Sequence, residues 1–296
     1  MKKQFKRFFL LIIFWGLCLC FYGLIRNYFI FNGEVINSFG VFGNKNHFAG
    51  YMLMVAPLSV GYAMYCRNGA KKVILSLIAS FICASIFLSL SRAATVSLLF
   101  SLLLMGMLIK GKWSDGKKEV ILAAIAALGM VFVLIAGINP VLHKFSFLWQ
   151  GLWKRLIVAD SFLGMIKDFP LFGIGSGNFS YLFPIYRKFI SPVHYYYMHN
   201  DHLQLIAETG LLGGFFYFSF LYLILKDIFL KLKVRRDPFV TNMVLGGFCG
   251  LMGVIVHSFF EFDFHIPAIS FLFWLILGLV YKCVNTHFIA NMNSSN

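Results

Sequence analysis

Charge is what this sequence has least of. Only 12% of its 296 residues are charged, against about 25% in a typical soluble domain. Acidic residues are the scarcer sign, 11 against 26 Lys and Arg, for a net charge of +15. With 60% hydrophobic residues and a mean hydropathy of +0.81, the chain has more apolar surface than a soluble fold of this length can hide. That excludes a water-soluble enzyme, and the same excess excludes disorder. Paired cysteines are absent too. Cys18, Cys20, Cys66, Cys83, Cys249 and Cys283 lie in or beside apolar runs with no CxxC pair, so neither a disulfide framework nor a zinc ribbon is expected. No A-x-A cleavage site follows the basic start MKKQFKRFF, and the apolar run behind it is too long for a signal peptide. It reads as an uncleaved first helix. No run alternates with period two, as a barrel strand would.

What remains is long apolar runs. A membrane-spanning helix needs about 20 apolar residues, and eight runs qualify: 8–29, 48–65, 73–90, 93–109, 120–138, 205–225, 239–257 and 266–281. Backbone polar groups must be satisfied internally in lipid, so a helical bundle follows. The expected fold is an all-α integral membrane protein, one polytopic domain over 1–296, with a large loop at 139–204.

Alternating the spans from an inside N-terminus gives inner segments 1–7, 66–72, 110–119, 226–238 and 282–296. They hold 17 of the basic residues, while the outer segments 30–47, 91–92, 139–204 and 258–265 hold 8. This is the positive-inside pattern. It accounts for the basic excess as topology, places both termini in the cytoplasm, and removes the case for a nucleic-acid partner.

The same topology gathers seven of the eight histidines and most other unusual polar residues on the outer face. Within the loop, 141–168 carries apolar residues at helical spacing, with Trp149 and Trp153 four apart. It reads as an interfacial helix, ended by Phe169-Pro170.

The sharpest polar segment is His199-Asn200-Asp201-His202, just before the sixth span. A histidine exchanges protons near neutral pH, so His199 is a candidate general base, with Asn200 and Asp201 able to orient it. The competing reading is a helix cap. Arg92, at the outer end of a span beside Ser91, and Arg155, in the loop, are candidates for binding phosphate oxygens bidentately; snorkelling is the alternative for both. Gly173, Gly175 and Gly177 in GIGSGN resemble a phosphate-cradling loop. No lysine or βαβ context accompanies them, so a simple turn is preferred. Glu261 and Asp263, two residues apart in a short turn, are poorly spaced to flank a sugar and read as structural or acceptor-binding. Asn46 and His47, at the entry of the second span, have the groups to bind a sugar or a headgroup, or to cap the helix. His194, His199 and His202 lack an HExxH pattern or a cysteine partner, so no metal is expected.

As a set, these segments resemble the O-antigen ligase and polymerase superfamily, bacterial membrane enzymes that move glycans from undecaprenyl diphosphate. The most telling stretch is His199-Asn200, nine residues to Thr209, then Gly210, Leu211-Leu212 and Gly213. NKNHFAGYMLMVAP, Ser91-Arg92, Arg155 followed by KDFPLFGIGSGNF, and HSFFEFDFHIPAISFLFWLILG agree in order, covering about residues 40–281. Members usually have more spans before the Asn-rich helix, so this is a short member or its first helices lie outside this sequence.

The resemblance implies a bundle like the GT-C glycosyltransferases with a periplasmic loop 139–204 carrying the active site, in the bacterial inner membrane. It implies a metal-independent, inverting transferase that needs no cofactor. His199 would be the general base, and Arg155 and Arg92 would hold the diphosphate. Asn46, His47, Asn178, Arg187, Asn200, Asp201, Glu261 and Asp263 would bind substrate. Its partners would be an undecaprenyl-diphosphate-linked glycan donor, a lipid A–core or growing-glycan acceptor, and the bilayer. The ligase-type histidine spacing favours a ligase of lipopolysaccharide biosynthesis. A polysaccharide polymerase, a protein O-oligosaccharyltransferase, or an inactive membrane scaffold are the other readings.

Overall fold

The computed structural model describes residues 1–27, 39–109, 116–136, 146, 148–190 and 194–288. Ten α-helices run through them: α1 (Lys2–Ile25), α2 (Lys45–Tyr65), α3 (Gly69–Leu88), α4 (Arg92–Leu108), α5 (Lys117–Ala136), α6 (Leu148–Asp168), α7 (Phe179–Tyr186), α8 (Asp201–Val234), α9 (Pro238–His257) and α10 (Pro267–Asn285). A single 3-10 turn, Asp263–His265, precedes α10. No strand forms among the described residues; Phe39 and Phe42 make one isolated bridge.

Seven helices are long and apolar enough to cross a membrane, and α4 is a shorter apolar helix of 17 residues. The eight expected spans therefore correspond to seven full-length helices and one short one. The ends of the runs 8–29 and 120–138 lie partly outside the described residues, as do 110–115 and most of 137–147. The largest difference is at the sixth span. Expected to stop at 225, before Lys226, it continues to Val234. Lysine does not end a helix. Lys231 pairs with Asp227 at 2.7 Å, one turn back, and the Lys226 and Lys233 ammoniums lie over the Tyr222 and Phe229 rings. Their stems cover apolar surface while their charges reach outward.

At the N-terminal end of several helices, polar caps answer the free amides. Asn44 accepts from the Asn46 amide, Ser91 from that of Ala94, Asn200 from that of Leu203, and Asp237 from those of Phe239 and Val240. These are the short polar residues favoured at helix starts.

The centre of the bundle is the pair α2 and α9, each buried along most of its length. Small residues let their backbones touch, as in other membrane helix pairs. A Cβ added at Gly246 would stand 2.5 Å from the Pro57 carbonyl oxygen, and one at Gly250 would stand 2.9 Å from that of Met54. A leucine at 246 must push the helices apart, and overpacking of this kind costs about 1–3 kcal/mol. We expect Gly246→Leu to lower the midpoint of thermal unfolding in detergent. An unchanged melt would show that this contact is not tight.

Helices α3, α4 and α1 pack around α2, and α4, α8 and α10 around α9. A second, smaller apolar cluster joins α6, α7 and the start of α8 through Val158, Met165, Phe179, Phe183, Met198 and Ala207. The two ends of the bundle differ chemically. Lys2 meets Asp237 at 2.6 Å and Phe5 meets the Phe288 ring, so both described termini lie at one basic end. Histidines and carboxylates collect at the other.

Candidate active site

Five chain segments meet at the polar end: the start of α2, the junction of α3 and α4, helix α6 with Arg155, the start of α8, and, between α9 and α10, the turn 258–265. Asp201 fastens the last two together. Its amide donates to the Ser258 carbonyl at 2.9 Å and to the Glu261 carbonyl at 3.2 Å. Its carboxylate accepts from the Phe264 amide at 2.8 Å and pairs with His265 Nδ1 at 2.6 Å. Asp263, fully buried, pairs with His257 Nδ1 at 2.6 Å and accepts from Ser258 Oγ at 3.3 Å. A Cβ on Gly50 would stand 2.5 Å from Asp263 Oδ1, so only glycine lets α2 approach this carboxylate.

The clamped turn delivers Glu261 to the middle of the site. Oε1 accepts from Arg155 Nη2 at 2.5 Å and from Asn46 Nδ2 at 2.8 Å, and Oε2 lies 3.3 Å from His199 Nδ1. The carboxylate is buried, while the Arg155 and His199 side chains are 29% and 40% exposed. A buried carboxylate thus anchors two groups that still face outward. Burial pushes the Glu261 carboxyl up, but the His199 hydrogen bond and the Arg155 charge outweigh it and hold the group below the usual carboxylate range. Arg92 lies within electrostatic reach of Arg155.

The ring of Phe262 supports the group from one side. It stacks on Tyr197 at 4.5 Å and meets His47 and His199 edge-on at 4.8 and 4.9 Å. His199 itself has φ +56°, in the left-handed region that histidine visits more readily than most residues. Beside it opens a cavity of about 710 Å³. Trp149, Trp153, Leu156, Phe259 and Phe260 make it mainly apolar, and Arg155, His199 and Asn200 are its polar members.

The other candidate residues have different surroundings. Asn200 caps α8, and Asp201 holds the turn rather than His199. Asn178 Nδ2 donates to the Ile174 carbonyl at 3.0 Å, closing the GIGSGN turn. Arg187 stands at the C-terminal cap of α7, outside the Glu261 group. The three histidines weighed as zinc ligands diverge: His199 faces Glu261, His202 Nε2 meets the Ile255 carbonyl at 3.0 Å, and His194 packs on Tyr196.

The glycine turn serves the fold. Gly210 has φ +71° and breaks α8. The amides this frees on Leu211 and Leu212 donate to the carbonyls of Pro170 and Leu171, at 2.8 and 3.3 Å. The freed carbonyls of Ala207 and Glu208 accept from Ile174 and Gly175, both at 2.9 Å. Gly177 donates to the Glu208 carboxylate at 3.0 Å. These amides are directed at α8 and a carboxylate, which leaves no cradle for phosphate. Non-helical backbone inside an apolar helix survives because its polar groups are paired.

Sequence reasoning did not connect Glu261 with His199. The two are 62 residues apart, and only the folded turn brings them together. Gln204 and Glu208, which hydrogen-bond each other at 3.1 Å and link to His265 and Gly177, were also missed. The signal for Glu208 was available, since it is the one charged residue in the otherwise apolar run 205–225.

Fold and site together define a multi-pass helical membrane protein with a histidine–carboxylate–arginine group beside an apolar cavity. Residues 75–218 match the family model described as O-antigen ligase, and the match supports the O-antigen ligase superfamily. It supports a ligase- or polymerase-type function, an enzyme acting on glycan and lipid substrates at the bilayer. No curated protein matches the chain. The matched stretch includes Arg92, Arg155 and His199; Asn46 and Glu261 lie outside it.

Proposed function

We propose that this protein transfers a glycan from undecaprenyl diphosphate to a hydroxyl of lipid A–core on the periplasmic face of the bacterial inner membrane. The observation that carries this reading is Glu261, which holds His199 and Arg155 together at the mouth of the apolar cavity. The loop 139–204 is then periplasmic, and both termini at the basic end are cytoplasmic.

The chemistry follows from the donors and acceptors. In the neutral ring, an Nδ1–H of His199 directed at Glu261 leaves Nε2 as the nitrogen that accepts a proton. The polyprenyl chain lies against Trp149, Trp153 and Leu156. Arg155, with Arg92 within reach, binds the diphosphate. As the acceptor oxygen attacks the anomeric carbon, His199 Nε2 takes its proton. The carbon–oxygen bond to phosphate breaks, its electron pair leaves with the lipid diphosphate, and the anomeric centre inverts. The guanidinium groups stabilise the charge that grows on the leaving group.

A polymerase, or a transferase to protein hydroxyls, would use the same donor chemistry. One observation favours keeping the polymerase in view. The Gly210–Gly213 part of the ligase-like spacing serves the kink of α8, so it bears on the scaffold rather than on the acceptor. Deletion of the gene in its own host, followed by electrophoresis of lipopolysaccharide, separates the readings. Ligase loss leaves long chains unattached to core; polymerase loss leaves single repeats attached to core. An unchanged ladder would support an inactive scaffold.

A further inference from the structure

At the basic end of the bundle, α1, α2, α3 and α9 do not close on one another. A cavity of about 740 Å³ remains between them. Leu10, Ile74 and Leu75 are among its apolar lining, and Arg67, Lys71, Lys2 and Asp237 are its charged members. Lys2 is neutralised by Asp237 at 2.6 Å. Arg67 and Lys71 are exposed, and neither makes an ion pair among the described residues. Two uncompensated cations therefore cap an apolar slot. The slot lies at the ends of four helices long and apolar enough to cross a membrane, and the ends of such helices stand at headgroup level.

We propose that this cavity binds one anionic phospholipid, with its phosphate between Arg67 and Lys71 and an acyl chain along Leu10 and Ile74. Basic pockets between membrane helices recognise acidic headgroups in this way. Guanidinium supplies a bidentate fork and ammonium a point charge. Tyr62 and Tyr65 also line the cavity, and tyrosines are enriched at the membrane interface. The lipid fills the gap between α1 and α3 that protein side chains leave open.

The test uses the full chain purified in mild detergent, with phosphatidylglycerol, phosphatidylcholine or inorganic phosphate added. Bound lipid is counted by native mass spectrometry. The wild type should retain one phosphatidylglycerol, little phosphatidylcholine, and should not lose the lipid to inorganic phosphate. Arg67→Ala with Lys71→Ala should bind phosphatidylglycerol about thirtyfold more weakly, which corresponds to about 1 kcal/mol for each basic residue at an anionic surface. Ile74→Trp, which fills the wall and leaves the charges in place, should also lower retention. Arg236→Ala with Lys282→Ala, a basic pair outside the cavity, should behave as wild type. Undiminished binding by the Arg67/Lys71 variant, equal retention of phosphatidylcholine, displacement by phosphate, or an equal loss in the Arg236/Lys282 variant would each overturn the proposal.

Discussion

Replacing His199 by alanine abolishes glycan transfer while the protein still inserts in the membrane. The expected loss is at least about 10²–10⁴-fold, the range that a positioned general base contributes. The side chain is 40% exposed at the edge of the cavity, so its removal takes little packing from the bundle. Its backbone complicates the test, because φ +56° suits alanine poorly. Asparagine tolerates the left-handed region better, which makes His199→Asn the companion variant. Both should reach the membrane fraction in wild-type amounts, and both should fail to attach glycan in the electrophoretic assay. Transfer at the wild-type rate by either would sink the assignment of His199.

Replacing Glu261 has the second large effect, and it touches stability as well as rate. Glu261→Ala leaves Arg155, Asn46 and His199 without their shared acceptor. Removing one partner of a buried ion pair costs about 3–5 kcal/mol. We expect the low end here, since Arg155 can turn toward the cavity. Glu261→Gln separates the two effects. It keeps the volume, but an amide nitrogen facing Nδ1 favours the ring tautomer that cannot accept the substrate proton. In hydrolytic triads a wrong tautomer costs about 10⁴-fold. Glu261→Gln should therefore melt closer to wild type than the alanine variant and yet transfer almost nothing. Equal activity of the glutamine variant and wild type would show that the carboxylate has no part in orienting His199.

The pH dependence of the same group has a definite sign. Glu261 is held below the usual carboxylate range, so the stability it contributes is fully present above the unfolded value near 4.5. That stability is lost as pH falls through the lower, folded value. Thermal melts of the wild type and Glu261→Gln should differ most at neutral pH and converge in acid. A gap that persists in strong acid would mean that the charge does not stabilise the site.

Much of the fold is legible from local chemistry. Length and hydropathy of each run define a membrane helix, because lipid allows few other backbones. Asn44, Ser91, Asn200 and Asp237 mark helix starts, because their side chains satisfy amides a few residues on. Phe169-Pro170 ends the loop helix where expected. The overextension of α8 past Lys226 was hidden because hydropathy reads a lysine as an exit, whereas its stem remains on the helix surface.

The site was legible only in parts. His199, Arg155 and Arg92 stand out as costly or reactive groups in an apolar chain, and they are visible one at a time. The glycines of GIGSGN read as a simple turn, and with Asn178 they do close a turn against the break at Gly210. The sequence by itself determined a basic-ended, helical membrane bundle and the residue types available at its polar end. Only the tertiary structure decided which of them act together. Glu261 reaches His199, Arg155 and Asn46 because Asp201 and Asp263 clamp a turn between three helices. That pairing depends on hydrogen bonds between residues far apart in the chain, for which no local spacing exists.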